Sequence, residues 1–119
     1  MAEKNHKKKK LEERILLELN DYLRREISDG RLVLASFTKV LINNDSSLAH
    51  AYWDSFNNDD RNYIADALES ERLKMKSHLA RVIRMRQIPN LKFSFDAQYE
   101  SEKEIESILS DEAKKGRTY

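Results

Sequence analysis

The sequence predicts an α+β domain of two layers, a three-stranded sheet covered on one face by helices. Three patterns carry that expectation. An apolar repeat of helical period runs from Leu11 to Ile27; two β-rich stretches flank the turn-forming residues 43–47; and Leu91, Phe93 and Phe95 alternate with Lys92 and Ser94 after a second, longer helical stripe. With 119 residues the chain can build one core, not two.

Taken in order, Lys4, His6 and Lys7 to Lys10 form a charge run without apolar spacing, expected as a basic flexible arm over residues 1–10. From Leu11 the stripe of Leu11, Ile15, Leu19, Leu23 and Ile27, widened by Leu16 and Tyr22, predicts an amphipathic helix. Gly30 is expected to end it by taking a left-handed conformation. Val33, Phe37, Thr38, Val40 and Ile42 favour a strand. After the Asn, Asp and Ser cluster at 43–47, a second strand from about Leu48 to Phe56 should pair antiparallel with the first, with Ala51, Trp53 and Ser55 on one face. Trp53 is placed on the core side.

Asn57, Asn58, Asp59 and Asp60 combine cap side chains with carboxylates suited to a helix start. The following stripe, Ile64, Ala67, Leu68, Met75, Leu79, Val82 and Ile83, is interrupted at Glu71 and Arg72. A carboxylate is costly to bury, so a kink or an exposed turn is expected between about Ser70 and Lys74. Pro89 should close the helix before the last strand. A short helix from Ser101 to about Ala113, on Ile105, Ile108 and Leu109, completes the chain. The division expected is thus an arm over 1–10, a folded domain over 11–99, and a terminal helix and tail over 100–119.

Composition excludes several classes of function. There is no cysteine, so disulfides, thiol nucleophiles and thiolate metal sites are absent. No apolar run approaches the roughly 20 residues of a membrane helix, and the basic start lacks the apolar stretch of a secretory signal. A cytoplasmic, monomeric protein without membrane contact is expected. His6, His50 and His78 lack ligand spacing and read as surface or packing residues. With two glycines, Gly30 and Gly116, no glycine-rich phosphate loop and no GxxG clamp can be built. No enzyme chemistry, metal or cofactor is expected.

The net charge of +1 conceals a sorting of charge along the chain. Residues 45–71 carry seven acids against Arg61; residues 72–95 carry Arg72, Lys74, Lys76, Arg81, Arg84, Arg86 and Lys92 with no acid. Lys74, Arg81 and Arg84 can share one outer helix face. Phosphates suit such a surface, because neutralising them releases counterions. The alternative is a charged protein-interaction module that meets complementary partners without nucleic acid.

One run within the positive block resembles a known family. Arg84-Met85-Arg86-Gln87-Ile88-Pro89-Asn90-Leu91-Lys92-Phe93-Ser94-Phe95-Asp96 is similar to the signature of ribosome-binding factor A, R-L-R-x-V-P-E-L-x-F-x-x-D. Asp29-Gly30-Arg31-Leu32 resembles its D-P-R-L, Leu48-Ala49-His50-Ala51 its L-x-H-A, and Ile105-Glu106-Ser107-Ile108-Leu109 its closing I-x-x-L-L. The resemblance implies a type II KH-like domain, ordered α-β-β-α(kinked)-β plus the short terminal helix. It also implies a non-catalytic factor that binds free 30S subunits and 16S rRNA during late maturation and rRNA processing. The family's A-x-G kink tripeptide is replaced here by Glu71, Arg72 and Leu73. Carried onto this chain, the RNA-binding surface would comprise Lys74, Lys76, Arg81, Arg84, Arg86 and Lys92.

Overall fold

A computed structural model describes residues 2–26, 30–56 and 61–97. Helix α1 (Ala2–Arg25) is followed by a single 3-10 turn (Gly30–Leu32), strands β1 (Ala35–Ile42) and β2 (Leu48–Ser55), helix α2 (Arg61–Val82) and strand β3 (Asn90–Phe95). The sheet order is β1-β2-β3, with β2 antiparallel to β1 and parallel to β3. Both helices cover one face, as expected. Between helices and sheet lie Ile15, Leu19, Leu68, Met75 and Leu79 from the helices and Phe37, Ala49, Ala51, Trp53 and Leu91 from the strands, all buried. Trp53 stands edge-on to Phe95 and Phe37 lies against Phe93, which puts these aromatics in the core layer.

The hairpin between β1 and β2 is held by the polar side chains that composition places there. Asn43 Oδ1 accepts the Leu48 N–H at 3.0 Å and Asp45 Oδ1 accepts the Ser47 N–H at 3.1 Å. Ser46 takes the strained position, with φ of 60°.

Helix α1 is fastened to β1 through the strand's backbone. Asn20 grips Phe37 twice, accepting its N–H at 2.7 Å and donating to its carbonyl at 3.0 Å. Arg24 donates to the Ala35 carbonyl at 3.1 Å, and Glu12 accepts the Ile42 N–H at 2.7 Å. These groups belong to the outer edge of β1, where no further strand among the described residues pairs with them. The grip of Asn20 falls where the ladder to β2 shifts register, between Phe37 and Lys39.

Three sequence expectations need correction. The first concerns the amino-terminal segment: α1 begins at Ala2, so the basic run is the opening of that helix and not a separate arm. Lysine is a good helix former, and the run continues the helix without apolar residues of its own. Gly30 takes no left-handed conformation; it opens the 3-10 turn with negative φ, and a Cβ there would meet nothing within 4 Å. Helix α2 stops at Val82, well before Pro89, which is itself fully buried at the entry to β3.

The helical run of α2 continues through the break at Glu71. That position is half-buried, and its carboxylate lies near the Tyr22 hydroxyl of α1, a polar neighbour that lessens the cost of the interruption. Glu69, Ser70, Leu73 and Lys74 around it are exposed, the exposed turn that the pattern demanded. Ser70 Oγ donates to the Ala67 carbonyl at 2.6 Å, a back-bond of the kind that bends helices. The cap expected at 57–60 and the helix expected over 101–113 lie outside the described residues.

Asn20→Ala should lower unfolding stability by about 2 kcal/mol in urea titration, because both backbone groups of Phe37 lose their partner. Gly30→Ala should be tolerated and should raise the urea midpoint slightly, by up to about 1 kcal/mol of stability, since it restricts only the unfolded chain.

Candidate nucleic-acid interface

The two helices run antiparallel, and a ladder of polar contacts sets their alignment. Arg14 donates through Nη2 to the Val82 carbonyl at 3.1 Å and through Nε to Glu18 at 3.1 Å. The other oxygen of Glu18 lies 3.4 Å from His78 Nε2, and the His78 ring packs 5.1 Å from that of Tyr22. Arg14 thus closes the carboxyl end of α2, where a cation meets the negative end of the helix dipole.

On the outer side of this pair, Lys74, Ser77 and Arg81 of α2 lie on one face. Together with Leu73, Ala80 and Tyr22 they line an open concavity of about 560 Å³. Lys74 and Arg81 are exposed, and Leu73 is 67% exposed. Burial, more than the neighbouring charges of Glu71 and Glu26, raises the Tyr22 pKa above its ordinary value.

The six residues singled out by the sequence divide into three groups. Lys74 and Arg81 share the concavity. Arg84 and Arg86 are exposed but lie past the end of α2, on the connection to β3, so they prolong the cationic strip without belonging to the helix face. Lys76 and Lys92 are drawn elsewhere. Lys76 donates to Asn90 Oδ1 at 2.6 Å and ties α2 to the start of β3. Lys92 alternates with the core-facing Leu91 and Phe93, so it projects from the opposite face of the sheet. Among the described residues none of the six is ion-paired to a carboxylate; the acidic block engages the basic one at Arg72, 3.2 Å from Glu69.

Sequence reasoning placed the lysine run in support of the surface but missed Arg14 and Tyr22. Lys7, Lys9 and Lys10 are exposed on α1, and Lys10 stands one turn before Arg14. Since Arg14 reaches Val82, these lysines come to the end of α2 from which Arg84 and Arg86 emerge. The signal was present as the uninterrupted lysine run. What the sequence could not give was its registration against α2.

The histidines have structural surroundings. His78 is half-buried between Glu18 and Tyr22; His50, on β2, is stacked on Tyr52 and bonded to Ser94. Among the described residues no group of three or more His, Asp or Glu side chains is arranged to hold a metal ion, and no helix is long and apolar enough to cross a membrane. Burial, with help from the charges of Lys92 and Lys39, lowers the His50 pKa from 6.5. The folded state binds a proton at His50 less readily than the unfolded chain does. Stability should therefore be fullest above pH 6.5 and decline as pH falls from there through the lower folded-state pKa. Urea midpoints taken from about pH 7.5 to about pH 5 should show that decline, and His50→Gln should flatten it.

Comparison with known proteins yields one consistent picture. The family model described as ribosome-binding factor A matches residues 7–109. A relative from Staphylococcus carnosus named ribosome-binding factor A is 32% identical over 104 residues, covering 87% of this chain and 90% of its own. One of the same name from Francisella philomiragia is 32% identical over 87 residues, 73% of this chain, and there the match spans only 61% of the relative's length. The crystal structure of ribosome-binding factor A from Thermus thermophilus is similar with a TM-score of 0.68 at 27% identity, covering 74% of this chain and 93% of that one. A homology model of the Thermus thermophilus protein, as fitted into the cryo-electron microscopy map of its 30S complex, gives a TM-score of 0.61 at 27% identity, over 73% and 92% of the two chains.

Proposed function

The chain belongs to the ribosome-binding factor A family, whose KH-like fold it shares, and from that premise we propose that it binds the free 30S ribosomal subunit. There it contacts 16S rRNA and assists late maturation and rRNA processing without catalysing a covalent step. It acts as a monomer in the cytoplasm.

The observation that carries this proposal is the strip formed by Lys74, Arg81, Arg84 and Arg86, none of them ion-paired to a carboxylate among the described residues. Guanidinium and ammonium groups in that state suit phosphate oxygens, and Arg offers two parallel donors to each. The exposed lysines at the start of α1 extend the strip. That a relative has been fitted into a 30S complex supports the choice of partner. With no GxxG loop to clamp it, the RNA backbone is met by this cationic strip instead.

The protein should sediment with free small subunits in a gradient and scarcely with assembled ribosomes; recovery only at the top of the gradient would refute the proposal. With about four phosphates neutralised, log affinity should fall against log salt with a slope of about −3 to −4. Arg81→Glu combined with Arg84→Glu should weaken binding, reduce that slope by about 2 and leave the circular dichroism spectrum unchanged.

A further inference from the structure

The face of the sheet turned away from α1 and α2 carries a cluster of its own. His50 and Tyr52 stack there, with ring centroids 4.2 Å apart and planes 22° from parallel. Lys39, opposite Tyr52 on β1, holds Nζ 4.6 Å from the centre of the Tyr52 ring. On β3, Lys92 stands opposite His50 and is exposed, while Ser94 stands opposite Tyr52. Ser94 Oγ lies 2.7 Å from His50 Nε2, and the Tyr52 hydroxyl lies 3.2 Å from Nδ1.

These contacts decide what His50 has left to offer. Both ring nitrogens are engaged and one ring face is covered by Tyr52, so the remaining face is its free surface, beside the cross-strand neighbour Leu41, which is 48% exposed. Burial and the two lysine charges favour the uncharged imidazole. The result is a flat ring flanked by two lysines whose strands, β1 and β3, lie roughly 10 Å apart. The carboxylate of Asp96 reaches the same face further along, where it accepts a hydrogen bond from Thr38.

The geometry points to this face as a second RNA contact, which takes an unpaired stretch of RNA by stacking a base on His50 and placing its phosphates against Lys39 and Lys92. A ring and two cations match the two parts of a nucleotide, and sheet-borne aromatics are an established means of holding unstacked bases. An acidic peptide would satisfy the lysines but leave the ring unused. The choice of RNA rests on the function proposed above. The surface does not, since it lies on the other side of the sheet from the strip along α2 and selects unpaired bases where that strip follows backbone.

Two probes separate the surfaces: a labelled oligouridylate, and an RNA hairpin with its stem fully paired. In the full chain, His50→Gln, and independently Lys39→Glu with Lys92→Glu, should each weaken oligouridylate binding by about tenfold or more. Both should leave hairpin binding intact, and His50→Phe, which keeps a neutral ring, should hold the wild-type affinity for oligouridylate. The lysine pair keeps the test decisive if His50→Gln disturbs folding. Oligouridylate that fails to bind, that binds all variants alike, or that polyglutamate displaces as readily as unlabelled oligouridylate does, would overturn the second contact. Failure of the α2 strip would register separately, as hairpin binding indifferent to Arg81→Glu with Arg84→Glu.

Discussion

The parallel pairing of β3 with β2 is the constraint from which the proposed RNA-facing surface follows. Two adjacent strands that point the same way cannot be joined by a tight turn, so the chain must travel back along the length of the sheet before β3 begins. Helix α2 makes that return. Its apolar stripe of Ile64, Ala67, Leu68, Met75 and Leu79 is spent on the sheet and on α1, and its cationic residues are left on the outside by geometry alone. A hairpin in place of the crossover would have left no helix to carry Lys74 and Arg81.

Helix α1 then fixes where that outer face lies. It is bonded to the β1 backbone by Glu12, Asn20 and Arg24 and to the end of α2 by Arg14, so one rod sets both the edge of the sheet and the close of the crossover helix. Polar contacts do this work at both places. They are directional, whereas the leucines and isoleucines between the layers would accept small slides of one helix along the other. Tyr22 and Glu71 add to that alignment while resolving the one interruption in the α2 stripe.

Much of this was legible in the sequence, wherever a local period decides the outcome. The stripe of α1 from Leu11, the hairpin around Asn43 and Asp45, and the alternation through Leu91, Phe93 and Phe95 all have short-range causes, and the structure bears them out. The failures have long-range causes. Val82 ends α2 with no glycine or proline beside it; the carbonyl there is taken by Arg14, far away in the chain. Glu71 seemed to require a break because its partner, Tyr22, belongs to another helix. For the site, the residue types were legible and their grouping was not. Lys92 is close to Arg86 in sequence, yet strand alternation turns it to the far side of the sheet, and Lys76 is drawn across to Asn90 by a contact that no helical wheel contains.

The bonds from α1 to the β1 backbone reach beyond stability. A strand at the rim of a sheet is a template on which a stranger's backbone can zip itself, and here that rim is occupied at Ala35, Phe37 and Ile42 by Arg24, Asn20 and Glu12. Growth of the sheet from that flank would require α1 to let go first. In a crowded cell, where many nascent chains present unpaired backbone, a small factor built this way is guarded on one side against polymerising or being recruited by accident, and its chance encounters are left to its charged surfaces.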